Sequence, residues 1–167
     1  RQRQMCIRDR TFESAYGMLC MKLAFAFQDY QFLLDDDAIS DDDKGIFKRI
    51  LGRTASMDET KSCFLLLTRM LEIHFKKSAV VILDEYDVPI AKASSNGYYS
   101  QMLDVMRAMM STTLKDNTSL DFAVITGCLK IAKESIFTGT NNFVSDTILS
   151  PRLSESFGFT QTDAVSY

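Results

Sequence analysis

The sequence predicts an α/β domain in which helices cover a parallel sheet. The apolar run Ala79–Leu83 has no polar alternation, which predicts a strand buried on both faces of such a sheet. A second apolar run, Leu120–Ile125, predicts another buried strand, and a helical pattern lies between the two. Because the order strand, helix, strand forms a right-handed parallel unit, we expect the two strands to be neighbours in one sheet.

Three stretches show helical spacing of apolar residues, and the third is the one between the two strands. The first begins after Thr11, the second follows a capping-box pattern from Ser56 to Glu59 and leads into the first strand, and the third follows the turn signal Asn96-Gly97. The residues predicted to form their apolar faces are Phe12, Ala15, Tyr16, Leu19, Leu23, Ala26, Phe27 and Tyr30; Cys63, Phe64, Leu67, Met70, Leu71, His74 and Phe75; and Tyr99, Met102, Leu103, Met106, Met109, Met110 and Thr113.

Two polar features between these stretches are interpreted as structural. Aspartates 35–37 and 41–43 could be imagined as a metal loop, but they lack the glycine and terminal glutamate of a calcium loop. We interpret them as a solvated linker that favours the start of the following helix through the helix dipole. The lone His74 is expected to meet the carbonyl groups at its helix end and is given no catalytic role.

Composition limits the classes of function. The chain has 167 residues and a formal net charge of -3, so nucleic-acid binding is not indicated by this segment. The four cysteines are far apart and show no CxxC pair, which argues against a zinc site and favours thiols in a reducing compartment. No apolar stretch has the length needed to cross a bilayer, and the cytoplasm is the expected location. Residues 1–10 are basic and lack apolar periodicity, so they are interpreted as a non-native or disordered leader.

Acidic and hydroxyl side chains follow the two predicted strands. Asp84 and Glu85 come directly after the first strand, in the pattern of a Walker B motif. In nucleotide hydrolases of this kind, the first acid holds Mg²⁺ and the second orients or deprotonates the attacking water. In this chain, Asp84 is expected to hold the ion through a water molecule. The alternative is that both acids only cap the next turn. Asp87, before Val88-Pro89, is interpreted first as a turn residue.

Thr126 follows the second strand, so it is expected at the same sheet edge as Asp84. There it would suit a sensor of the γ-phosphate or of the attacking water. The alternative interpretation is that its hydroxyl only satisfies backbone groups where the strand enters the turn at Gly127.

Three segments together resemble the AAA-ATPase-like proteins. They are 82–90 (ILDEYDVPI), 125–143 (ITGCLKIAKESIFTGTNNF) and 156–160 (SFGFT), and the likeness runs from about residue 11 to the end. The resemblance implies a three-layer P-loop NTPase-like fold with a parallel sheet, ATP and Mg²⁺ as cofactors, and often a restriction-endonuclease-like nuclease domain further along the chain.

The sequence departs from the family in two ways. None of its seven glycines is followed by lysine, so the Gly-Lys-Ser phosphate loop of the family is missing. We therefore interpret 11–150 as a partial ATPase domain, incomplete at the amino terminus, and 151–167 as the truncated start of a following helical segment. The other departure is Lys130, where relatives often have arginine. If this position senses phosphate, lysine keeps the charge but loses the bidentate fork. The alternative is that Lys130, Lys133 and Glu134 form a surface ion-pair cluster, which would contribute little to stability or function.

These observations predict a part of an ATP-binding and ATP-hydrolysing protein. Glu85 is the expected base, Asp84 holds Mg²⁺, and Thr126 with Lys130 are the expected sensors. The fragment alone is expected to be inactive. The alternative is a non-catalytic nucleotide switch or protein-interaction module that keeps the acids without turnover. The oligomeric state is not predicted by the sequence.

Overall fold

A computed structural model describes residues 11–115 and 117–127, together with residues 144 and 146. Within this part of the chain, six α-helices and two strands follow one another, and a short 3₁₀ helix spans Gln31–Asp35. The elements are α1 (Phe12–Gln28), α2 (Asp41–Leu51), α3 (Met57–Lys61), α4 (Cys63–Phe75), β1 (Ala79–Leu83), α5 (Val88–Asn96), α6 (Tyr99–Leu114) and β2 (Leu120–Ile125). The leader 1–10, the segment 151–167 and Lys130 lie outside the described residues.

The predicted helix after Thr11 is confirmed as α1. The Thr11 hydroxyl caps it by accepting a hydrogen bond from the Ser14 N–H at 3.3 Å. Leu23 and Phe27 of the predicted face are buried, but Ala26 is exposed and Ala24 is buried in its place. The buried face of α1 is therefore rotated slightly about the helix axis from the face that residue spacing alone predicts.

The aspartates at the start of α2 stabilise that end of the helix, as predicted, but one of them, Asp43, is not solvated. Asp41, Asp42 and Asp43 occupy the first turn, where carboxylates interact favourably with the helix dipole. Asp43 is buried and pairs with Arg69 of α4. The description of the whole aspartate segment as a solvated linker is therefore wrong for Asp43, because α4 supplies a cation to it.

His74 pairs with Asp36 rather than with the carbonyl groups at the end of its helix. Its Nδ1 lies 2.7 Å from Asp36 Oδ2, and Phe32 and Phe75 pack around the ring. The pKa of the Asp36 carboxyl is lowered by the hydrogen bond that it accepts from the Ala38 N–H and by His74. The contact joins the 3₁₀ helix to the end of α4, immediately before β1.

The capping box is present, but it opens a short helix. The Ser56 hydroxyl accepts from the Glu59 N–H at 3.2 Å, and Glu59 accepts from the Ser56 N–H at 2.8 Å. The chain leaves helical geometry at Ser62, so the predicted single helix is divided into α3 and α4. Cys63, Leu66 and Met70 of α4 are buried in the core. Burial also raises the pKa of the Cys63 thiol to about 12, as expected for an inert core cysteine.

The two predicted strands form a parallel pair, as the sequence predicts. Leu83 lies opposite Ile125, and a register shift after Ala79 places Val80 opposite Phe122. Two helices connect the strands, α5 and α6. The buried methionines of α6 fill the core, as expected.

Among the described residues, helices cover only one face of the two strands, whereas the sequence predicts burial of the first strand on both faces. Exposed and partly buried residues alternate along β1 and from Phe122 to Ile125 of β2, and helices α4 and α6 pack against one face only. The other face exposes Val80 (46%), Ile82 (73%), Phe122 (54%) and Val124 (45%). An uninterrupted apolar run therefore forms a strand whose second apolar face is open among the described residues. We refer to these four side chains as the open sheet face.

The described part of the chain contains no helix with the length and apolar character needed to cross a membrane.

Candidate functional site

The two strand ends bring three of the predicted site residues together. β1 ends at Leu83 and β2 at Ile125, and these two residues are paired in the parallel register. Asp84 and Glu85 therefore emerge beside Thr126 at the carboxyl edge of the sheet, where open α/β sheets bind their ligands. All three residues are exposed. The fourth predicted residue, Lys130, lies outside the described residues together with the rest of the 128–143 motif.

Thr126 connects the two strand ends through its backbone and its hydroxyl group. Its N–H donates to the Leu83 carbonyl at 2.9 Å, and its own carbonyl accepts from the Tyr86 N–H at 3.1 Å. Its hydroxyl donates to Asp84 Oδ1 and accepts from the Glu85 N–H at 3.4 Å. Thr126 is thus hydrogen-bonded to each of the four consecutive residues 83–86, the first of which ends β1.

The two contacts of the Thr126 hydroxyl bear on the two interpretations that the sequence left open. Thr126 does satisfy a backbone group, the Glu85 N–H, which is what the structural alternative describes. It also contacts the Asp84 carboxylate directly, 42 positions away along the chain. A contact of that kind places a hydroxyl donor and a carboxylate where one ligand can reach both.

Glu85 has a left-handed backbone conformation, with φ of 54°. A residue with a Cβ pays about 1–2 kcal/mol for this conformation, so the surrounding contacts must hold it. The Glu85 N–H is bonded to Thr126, and its carbonyl accepts from the Val88 N–H at 3.1 Å. The turn holds the backbone while the exposed side chain is accessible to a ligand.

Asp87 and Gly127 belong to this site, although the sequence pattern did not assign them to it. Asp87 is buried, and its carbonyl begins α5 by accepting from the Ile90 N–H at 3.1 Å and the Ala91 N–H at 2.9 Å. Burial raises the pKa of the adjacent Tyr86 phenol, and the charge of Asp87 adds to the shift. Pro89 is the feature of the sequence that could have identified Asp87 as the residue before a helix, since proline in the first turn together with a preceding aspartate is typical of a helix start.

The oxygen atoms at this edge of the sheet can be compared with the ligands that Mg²⁺ prefers. Among the residues that the structure describes, no group of three or more histidine, cysteine, aspartate or glutamate side chains could hold a metal ion. Mg²⁺, however, prefers oxygen ligands, keeps several waters and is usually held by one or two carboxylates together with substrate phosphates. The exposed Asp84 and Glu85 carboxylates fit that mode of binding, in which the ion arrives with its nucleotide.

A family model described as "Predicted AAA-ATPase" matches residues 13–137, which is most of the chain and includes both strands. The chain belongs to this AAA-ATPase-like family. The resemblance noted from the sequence motifs is therefore confirmed.

One curated protein is similar to most of this chain. An "Uncharacterized protein in vnfD 5'region" of Azotobacter chroococcum mcd 1 is 29% identical over 119 residues, which cover 71% of this chain and 23% of that protein. The match thus spans about a quarter of the relative. No solved structure matches the chain.

Proposed function

We propose that this member of the AAA-ATPase-like family provides the hydrolytic edge of an ATP-binding protein with a P-loop NTPase-like fold. The observation that carries the proposal is the group Asp84, Glu85 and Thr126 at the paired carboxyl ends of two adjacent parallel strands. Family membership supplies the class of ligand, and the strand ends supply the acid, base and hydroxyl groups that nucleotide hydrolysis uses.

Asp84 and Glu85 have different roles in this proposal because their backbones present them differently. Asp84 directly follows β1 and is the residue that would hold Mg²⁺. When bound, Mg²⁺ neutralises charge that develops on the phosphate oxygens. Glu85 lies one residue further, in the left-handed turn, with its side chain in solvent. It orients the attacking water and accepts its proton.

Thr126 acts as a sensor by exchanging hydrogen-bond partners. A hydroxyl group has one proton, and here that proton is directed at Asp84. Thr126 therefore cannot donate to a phosphate oxygen or to the attacking water until its bond to Asp84 is released. A cation near Asp84 weakens the carboxylate as an acceptor, so cation binding and the release of Thr126 favour each other. Lys130, on the segment after β2, is proposed as a second sensor by family resemblance.

The open sheet face supports the three-layer part of the proposal. Parallel sheets are covered by helices on both faces, whereas the described helices cover one. A second helical layer against Val80, Ile82, Phe122 and Val124 would complete the P-loop NTPase-like arrangement. The phosphate-binding loop is assigned to another part of the complete protein, since no glycine of this sequence precedes a lysine. A nuclease-like domain elsewhere in that protein stays an expectation from the family.

The proposal is tested by ATP binding and turnover in the complete protein. We expect Glu85→Gln to lower turnover by about 100-fold or more while the ATP affinity changes by less than about threefold. Asp84→Asn is expected to raise the Mg²⁺ concentration needed for turnover. Glu13→Gln, which neutralises an exposed carboxylate on α1, is the matched control and should leave both quantities unchanged.

The alternative function predicts different results in the same assays. ATP binding without turnover in the unsubstituted protein would favour a nucleotide switch. Neither binding nor turnover would contradict the proposal and favour a protein-interaction module, in which the acids at the strand end only cap the turn.

A further inference from the structure

A side chain at position 127 would collide with Tyr86 and Asp87 as they are placed. A Cβ atom built on Gly127 would lie 2.5 Å from Tyr86 Cε1, 2.7 Å from Tyr86 Cδ1 and 2.8 Å from Asp87 Oδ1. Non-bonded carbon atoms in proteins approach to about 3.5–4.0 Å, so all three contacts are impossible without movement. Glycine is therefore required at position 127 by close approach, because the ring and the carboxylate rest directly on its backbone.

The two residues that contact Gly127 directly follow Glu85 in the chain. The Tyr86 N–H is bonded to the Thr126 carbonyl at 3.1 Å, which holds the Tyr86 backbone beside the end of β2, so the ring can leave Gly127 only by rotating about its own side-chain bonds. Asp87 is buried and begins α5, which restricts its movement as well. Residues 86 and 87 are thus held between Gly127 on one side and α5 on the other.

This packing bears on the unusual backbone of Glu85. Its left-handed conformation is unfavourable for a residue with a Cβ and persists only where neighbouring contacts fix it. Thr126 holds the N–H of Glu85, and the residues that follow Glu85 are held by Gly127. A change at position 127 is therefore transmitted to Glu85 through two intervening residues.

We propose that Gly127 is a positioning residue for Glu85: its bare backbone lets Tyr86 and Asp87 pack against the end of β2, and this packing fixes the turn that presents the Glu85 carboxylate. The inference rests on the proposed function, because it concerns the geometry of the residue that is proposed as the base. Gly127 itself touches no reacting atom.

The test compares Gly127→Ala with Tyr86→Ala and with the double variant in the complete protein. One added methyl group should displace the Glu85 turn and lower ATP turnover by about 100-fold, the scale of loss that a misplacement of about 1 Å produces. The ATP affinity should change by less than about threefold, because the methyl group removes no ligand contact. Tyr86→Ala alone removes the packed ring and should also lower turnover. Because it removes two of the three clashing atoms as well, adding Gly127→Ala to it should cost far less than the loss of about 100-fold expected for Gly127→Ala alone.

A second measurement does not depend on ATP. Hydrogen exchange of a peptide covering 83–88, followed by mass spectrometry, reports on the Glu85 and Tyr86 N–H groups that are bonded to Thr126. Gly127→Ala should accelerate this exchange, and it should do so much less when Tyr86 is already replaced by alanine. Gly17→Ala is the control, since a Cβ at Gly17 meets no atom within 4 Å.

The outcomes separate this inference from the function on which it rests. Turnover by Gly127→Ala equal to that of the unsubstituted protein, or a parallel loss of ATP affinity and turnover, would overturn the positioning role. So would losses from Gly127→Ala and Tyr86→Ala that multiply fully in the double variant. If the unsubstituted protein neither binds nor hydrolyses ATP, the proposed function fails and the positioning role fails with it. Unchanged exchange in Gly127→Ala would overturn the packing argument whatever the activity.

Discussion

Asn117 connects α4, α6 and the start of β2, and its replacement by alanine should destabilise the chain markedly. The Asn117 side-chain amide donates to Thr68 Oγ1 at 3.1 Å and to the Thr113 carbonyl at 2.9 Å, and its oxygen accepts from the Ser119 N–H at 3.1 Å. Thr68, Thr113 and Ser119 are 0–5% exposed, so water cannot readily replace the lost partner.

The expected loss follows from the number of these hydrogen bonds. Each contributes about 1 kcal/mol net, and Asn117 itself is only partly buried, so Asn117→Ala should lower the free energy of unfolding by about 2–3 kcal/mol. With a urea dependence of about 2 kcal/mol per molar, the midpoint should fall by about 1–1.5 M. Urea unfolding followed by circular dichroism measures this shift.

Asn96→Ala provides the matched control. The Asn96 amide donates to the Lys92 carbonyl at 2.7 Å, but the residue is exposed at the end of α5. Its replacement should change the free energy of unfolding by less than about 0.5 kcal/mol. Equal midpoints for the two variants would refute the reasoning that burial of the Asn117 partners determines the loss.

Three further substitutions test other contacts of the fold. The pKa of Glu59 is lowered from 4.5 to about 2, mainly by the hydrogen bond from Arg49 and then by the Ser56 N–H, so its stabilising effect is complete above pH 4.5 and is lost as the pH falls toward 2. Thermal midpoints of the unsubstituted chain should therefore fall more steeply over that range than those of Glu59→Gln; parallel curves would contradict this. Gly97 ends α5 with φ of 82°, and Gly97→Ala should cost about 1 kcal/mol in urea unfolding. Gly17 is exposed within α1 with open space around it, and Gly17→Ala should stabilise by about 0.5–1 kcal/mol; an opposite sign for either glycine would contradict the backbone argument.

The local elements were predictable because local chemistry determines them. The Thr11-capped helix, the aspartates at the start of α2 and the Ser56–Glu59 capping box depend on residues a few positions apart. The parallel order of β1 and β2 followed from the helical pattern between them. The sequence also indicated that Asp84 and Thr126 lie at one edge, because the carboxyl ends of neighbouring parallel strands coincide.

Contacts between distant residues were not predictable in the same way. The bond from Thr126 to Asp84 and the close approach of Gly127 to Tyr86 depend on the strand register, which packing determines rather than any local pattern. The open sheet face shows a related limit. An apolar run identifies side chains that are suited to burial, but it does not identify which layer of the protein covers them.

The central claim is that nucleotide binds at the strand ends carrying Asp84, Glu85 and Thr126. The most direct measurement is paramagnetic broadening of methyl resonances in the complete protein by Mn²⁺ bound with a non-hydrolysable ATP analogue. Leu83 and Ile125, at the carboxyl ends of β1 and β2, should broaden strongly. Ile39 should broaden far less. It lies beside Asp36, which contacts the end of α4 near the amino end of β1. The amino and carboxyl ends of β1 are about 17 Å apart along the strand. Equal broadening of all three, or none at Leu83 and Ile125 when the analogue is bound, would contradict the account.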